Sequence, residues 1–297
     1  MLAQVTSAIY WKRLFGPIHL VCDEQHLATL QEYDAVKYYD SVDTTLLERM
    51  PTMDRRYWAF SKIFLAYMLS ETDEPFVILD TDLWVRKIPP TFDPTADIVA
   101  FHQEAFDVEY EHNMYLEPKH FIEGADDLGL DWSVLPVNCA FVYFNNATLV
   151  TQWYFTCLEI IRQNRDKPAK GGALDMVFIE QRLLPTLAEK MGLRVEVIIP
   201  SVYLSQVPHF SAQDVGQWSP PLASAPNIEA AVACVSHIWG MKKFFKNEDL
   251  REIVIMMLMG DLQDILAPKY GDISRKLLIE VRDLLPAKYL PSNQPTP

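Results

Sequence analysis

Apolar residues recur at helical spacing over Val5–Phe15, and Gly16-Pro17 stops the period. Ile18–Cys22 then reads as a short strand running into Asp23-Glu24, followed by a helix over Glu24–Glu32 and a second short strand at Ala35–Tyr39. Arg55–Leu69 is helical and apolar nearly all round, which predicts a buried helix. Strand patterns return at Phe76–Leu79, Ile98–Phe101, Pro136–Tyr143, Val195–Ile199 and Ala230–Ser236. Helical patterns fall between them at Thr148–Gln163 and at Ala173–Leu184, the latter ended or bent by Pro185. His102–Glu117 shows no clean period and reads as a loop or lid-like insertion. Amphipathic helices at Asn247–Leu266 and Ser274–Leu285 close the chain, with Ser292–Pro297 frayed. Strands alternating with helices predict an α/β fold with a mainly parallel central sheet. The corresponding division is a domain over residues 1–246 with a helical extension over 247–297 packed on it.

The chain is organised around Phe76–Val85, where Phe-Val-Ile-Leu runs straight into Asp80-Thr81-Asp82. An apolar run without alternation predicts a strand buried on both faces. Strands of open α/β sheets end at the crevice that binds ligands. Side chains two apart on a strand point the same way, so Asp80 and Asp82 are expected to converge on one hard cation, Mg²⁺ or Mn²⁺. Eighteen residues upstream, Lys62 is the one central cation of the apolar helix. A buried ammonium is costly without a partner, so Lys62 either snorkels to solvent or points into a polar cleft.

Three further stretches carry chemistry. Asn138 interrupts an apolar run, where a buried amide either ties down a turn or meets a ligand, and the turn is the commoner outcome. Glu180-Gln181 lies within a helix, where an exposed charged face is the usual explanation. His237-Ile-Trp-Gly240-Met-Lys-Lys243 ends an apolar strand. A strand-end histidine suits a divalent metal, a glycine lets backbone approach a ligand, and a lysine meets phosphate as a point charge. Taken alone, His237 is more often a satisfied core histidine.

Composition narrows the partners. Hydrophobic residues make up 49% of 297 positions, enough for a sizeable core. The formal charge is −14 and the basic residues form no run, which argues against nucleic acid as a partner. Cys22, Cys139, Cys157 and Cys234 lie far apart, indicating neither a zinc site nor a disulfide framework. No apolar run reaches the ~18 residues of a membrane helix. Together these features suggest a cytoplasmic chain, with peripheral membrane contact left open.

The ordered set of stretches resembles the retaining nucleotide-sugar glycosyltransferases of the GT-A fold, family 8 in particular. The matching positions are Lys62 in an aromatic-rich helix, Asp80-Thr81-Asp82, Val137-Asn138-Cys139-Ala140 with Asn145, Glu180-Gln181, and His237-x-x-Gly240-x-x-Lys243. The resemblance spans roughly Thr6 to Phe245. It implies a GT-A-like fold and a metal-assisted transfer of a sugar from a nucleotide-sugar donor, UDP-linked by expectation, to a glycan or lipid-linked acceptor. It further implies that Asp80, Asp82 and His237 hold Mn²⁺ or Mg²⁺. Lys62, Thr81, Asn138, Gly240 and Lys243 are then donor-binding, and Gln181 with Glu180 lies near the anomeric carbon.

The chain departs from the family pattern at Ala140, where a glycine is usual, at Glu180, where Asp is usual, and at Phe244-Phe245, where Pro-Trp is usual. The strand that opens GT-A folds is also missing ahead of the first helix, which suggests a truncated N-terminus. Ile-Leu-Asp80-Thr-Asp82 superficially resembles the nucleophile motif of haloacid-dehalogenase-type phosphatases. Leu83-Trp84 does not fit that motif, and at least two α/β units precede it. The remaining alternative is a non-catalytic sugar- or protein-binding relative of the same fold.

Overall fold

A computed structural model describes residues 2–85, 87–104, 122–167, 174–203 and 235–237. Helix α1 (Leu2–Phe15) is followed by β1 (His19–Val21), α2 (Glu24–Glu32) and β2 (Ser41–Asp43). Helix α3 (Phe60–Ser70) leads into β3 (Phe76–Leu79), then β4 (Leu83–Val85) and β5 (Ile98–Glu104). β6 (Phe141–Phe144) and α4 (Ala147–Asn164) come next. A further helical run has three parts, α5 (Leu174–Val177), a π turn at Phe178–Arg182 and α6 (Leu183–Lys190). β7 (Val195–Tyr203) and β8 (Val235–His237) complete the described elements.

Local chemistry sets several boundaries. Asp23 caps α2 by accepting from the His26 amide at 2.7 Å, and Asn146 caps α4 by accepting from the Leu149 amide at 3.0 Å. The strand expected at Ala35–Tyr39 is instead a 3-10 turn at Val36–Tyr38. Asp34 takes a left-handed conformation (φ 52°), and the Tyr38 and Tyr39 amides bond back to the Ala35 and Val36 carbonyls. The turn buries Tyr38 beside Val5, Ala8 and Ile9 of α1 in a satellite core, and the chain extends only afterwards, at β2.

The main sheet has the order β3-β6-β5-β7. β6 runs antiparallel to both of its neighbours, and β5–β7 is the parallel pair in this sheet. The expected mainly parallel, GT-A-like sheet is therefore corrected to a mixed one. The physical reason lies in β6. Antiparallel strands commonly leave one face in water and alternate in polarity, whereas β6 reads Phe-Val-Tyr-Phe because both of its faces are covered. Val142 and Phe144 join the core with α3 and α4, and Phe144 meets Trp153 at 5.9 Å. Phe141 stacks on Trp11 of α1 at 5.4 Å, and Phe92 stands edge-on to Tyr143 at 5.3 Å. A strand covered on both sides looks the same in sequence whichever way it runs.

β1 and β2 form a separate two-stranded parallel sheet, and β4 pairs with β8 antiparallel. Helix α1 joins these parts. Gln4 through Trp11 are all buried, with Val5, Ala8 and Ile9 in the satellite core. On the same helix the Ser7 hydroxyl and the Trp11 indole both donate to the Leu83 carbonyl, at 2.6 and 2.9 Å. The segment that follows the Asp-x-Asp motif is thus fixed by the first helix. Among the described residues no helix is long and apolar enough to cross a membrane. Most of the His102–Glu117 insertion, the C-terminal helical patterns and the 247–297 extension lie outside the described residues.

Candidate functional site

The expected strand through Asp80 and Asp82 stops at Leu79. Asp80 donates its amide to the Ala140 carbonyl at 2.8 Å, and the Leu83 amide closes back on the Asp80 carbonyl at 3.3 Å. Residues 80–83 are therefore a turn, and strand alternation does not carry across it. Asp80 is half-buried and directed to Lys62, whereas Asp82 is buried and Thr81 is exposed. His237 lies opposite Leu83 in the β4–β8 register. Among the described residues no group of three or more His, Cys, Asp or Glu side chains is placed to hold a metal ion. The expected Mn²⁺ or Mg²⁺ site at Asp80, Asp82 and His237 is corrected accordingly, and with it the metal-dependent hexosyltransferase and the metal-binding motif. Gly240 and Lys243 lie outside the described residues.

What the fold does assemble is a buried ion triad around Lys62. Its ammonium donates to Asp80 Oδ1 at 2.9 Å and to the Cys139 carbonyl at 3.0 Å, and pairs with Glu180 Oε1. The Glu180 side chain is only 5% exposed, against 22% for Lys62 and 32% for Asp80, so the triad opens to solvent on the Asp80 side. Burial alone would pull the Lys62 pKa down, but Glu180 and then Asp80 outweigh it and hold the ammonium above its ordinary value. Burial pushes the Glu180 carboxyl up, and Asp80 adds to that push against the pull of Lys62. Behind the triad a cavity of about 10 Å³ is lined by Lys62, Glu180, Cys139, Trp153, Val142 and Phe144. That is about the least room that holds one water.

Glu180 reaches Lys62 because of the π turn. A π turn leaves backbone carbonyls without their usual helical partners, and here three of them are taken by donors from outside the helix. The Ile179 carbonyl accepts from the Trp153 indole at 2.8 Å and from Cys157 Sγ at 3.5 Å. The Glu180 carbonyl accepts from Cys139 Sγ at 3.5 Å. The Gln181 carbonyl would serve the amide four residues on, but that residue is Pro185, which has none. Instead it accepts from the Val137 amide at 3.0 Å. Pro185 thus sits inside a helix that continues to Lys190, rather than ending it.

Asn138 performs the commoner of its two expected tasks. Its side-chain oxygen accepts from the Ala140 amide at 3.0 Å, closing a local turn that presents the Cys139 carbonyl to Lys62. Asn145 stands at the opposite end of β6, where its amide groups hold the Pro94 and Asp97 carbonyls. The structure therefore brings together Lys62, Asp80, Glu180 and the Asn138 turn, and leaves Asn145 apart. Replacing Asn138 by Ala is expected to cost about 1–2 kcal/mol, the deficit of a buried amide left without its acceptor. Urea denaturation checks the magnitude, and faster exchange of the Ala140 amide locates it.

Sequence reasoning missed the Cys139 carbonyl and the π turn. The signal for the turn was Pro185, placed within an apolar helical period that resumes after it. Comparison with known families adds one match. A family model described as "Family of unknown function (DUF6734)" covers residues 1–218. The chain belongs to that family. The matched span contains Lys62, Asp80, Asn138, Glu180 and Gln181, while His237, Gly240 and Lys243 fall beyond it. A search of curated proteins finds no match.

Proposed function

We propose that this chain recognises a nucleotide sugar and holds its glycosyl end at the Lys62–Asp80–Glu180 triad, as a relative of the retaining nucleotide-sugar glycosyltransferases. One observation carries the reading. Positions 62, 80, 139 and 180 are far apart in sequence and belong to separate stretches of the resemblance, yet they meet on a single ammonium. A shared ligand site accounts for that convergence.

The chemistry available to these residues is positioning. Lys62 ties two carboxylates into fixed places, and Asp80, at the open side, offers lone pairs to hydroxyl donors. The reading assigns no metal. It covers both a protein that only binds the nucleotide sugar and one that moves the sugar to an acceptor. A sugar group held with its hydroxyls fixed is common to the two.

Isothermal titration of UDP-glucose into the full chain in the presence of EDTA tests the proposal. Binding is expected without divalent ions, and at least about tenfold weaker in Asp80→Ala, as for loss of a charged hydrogen-bond acceptor. No heat up to about 1 mM ligand, the range of weak specific binding, sinks the reading. Release of UDP from the same samples on adding candidate acceptors separates transfer from binding alone.

A further inference from the structure

Proline inside a helix removes a backbone donor and sets its ring against the carbonyl four residues back. Pro185 is the third residue of α6, and it is buried. Because α6 continues directly from the π turn, position 185 is helix interior rather than a helix start. The Gln181 carbonyl, denied its helical partner, accepts from the Val137 amide at 3.0 Å. Two residues on, Cys139 makes a second tie to the same turn, its Sγ donating to the Glu180 carbonyl at 3.5 Å. Two consecutive carbonyls of the π turn are thus fastened to the Val137–Cys139 segment. That segment presents the Cys139 carbonyl to Lys62, and the π turn presents Glu180 to it. An amide at position 185 would compete with Val137 for the Gln181 carbonyl, and a helix adds such a bond without ordering anything further.

We infer that Pro185 is a positioning residue for the triad. By withholding an amide it fastens the π turn to the Val137–Cys139 segment, and so keeps Glu180 and the Cys139 carbonyl together on Lys62. Proline is the costliest residue in a helix interior, where alanine is the most favourable. Position 185 carries that cost, and the carbonyl it frees is the one that ties the two sides of the triad. The arrangement requires no ligand, so the triad itself can be read.

Pro185→Ala and Pro185→Gly both restore the amide, yet alanine and glycine stand far apart as helix formers, and comparing them in the full chain is the test. Urea denaturation should rank the alanine variant above the glycine variant. Hydrogen exchange followed by NMR reads the tie itself. In both variants the Val137 amide is expected to exchange about two- to tenfold faster relative to the amides of β6, the range for one lost hydrogen bond, while the new amide at 185 is protected. The Glu180 carboxyl titration should move, and by a similar amount in the two. Effects that follow the urea ranking, large with glycine and small with alanine, overturn the inference by tracing them to loss of the helix. A Glu180 titration unmoved in either folded variant also overturns it, because the tie then does not reach the triad. Loss of the fold in both variants overturns it by making Pro185 a requirement of folding.

Discussion

Lys62→Met is expected to cost about 3–5 kcal/mol, the loss found when one partner of a buried ion pair is removed. Methionine matches the length of the lysine stem, so packing changes little and the cost is electrostatic. Glu180, 5% exposed, is left as a buried charge, and the Cys139 carbonyl loses its donor. Against the 5–15 kcal/mol of a typical domain, such a loss is large. Adding Glu180→Gln to Lys62→Met should recover a substantial part of it, because the orphaned charge is then gone. Failure of the double variant to recover would show that the lysine acts through packing.

The same variant has a signed pH dependence. Glu180 has a raised pKa in the folded chain, so its protonated form is favoured by folding, and the associated stability is lost as pH rises through that folded value. Without Lys62 the value rises further. The deficit of Lys62→Met should therefore shrink on acidification towards the ordinary glutamate range and be greatest at neutral pH. Lys62 contributes the mirror case. Its raised folded pKa means stability that is full below the ordinary lysine value and lost as pH climbs through the folded one. Urea denaturation at acid and neutral pH reads the glutamate limb.

How much of this was legible depends on which physical signal each residue left. Helix α2 falls at Glu24–Glu32 as its period predicts, and α4 extends the predicted helix by one residue at each end, because periodicity and caps mark both. The partner of Lys62 could be anticipated, since an apolar helix cannot leave an ammonium unpaired and Asp80 ends the next strand. Glu180 could not be placed from its helix alone. A glutamate there normally faces water, and only the π turn and its outside donors bring it inward. The metal expectation failed at a single assumption, that the strand continues through Asp80, when the Leu83 amide closes a turn there instead. Strand direction left no signal, because β6 is apolar on both faces. The resemblance singled out the stretches that meet at Lys62, although the sheet it implied is not the one observed.

Trp153 offers the second large effect and separates packing from the π turn. The side chain is 2% exposed, lines the cavity behind the triad, meets Phe144 and donates its indole N–H to the Ile179 carbonyl. Trp153→Ala is expected to cost about 3–5 kcal/mol, as for other buried aromatic truncations. Trp153→Phe keeps most of the apolar contact and removes the hydrogen bond, and should cost about 1–2 kcal/mol. Cys157 Sγ remains as a weaker donor to the same carbonyl, which limits the loss in the Phe variant. The two substitutions also differ in their effect on the site. Ile179 precedes Glu180 on the π turn, so loosening its carbonyl slackens the hold on the carboxylate that faces Lys62. Stability alone cannot report that slackening, but the Glu180 carboxyl resonance, followed by NMR as pH is varied, can. In Trp153→Phe a shifted titration of Glu180 with a small stability loss identifies the indole as a positioning group for the triad. An unshifted titration with the same loss assigns Trp153 to the core alone.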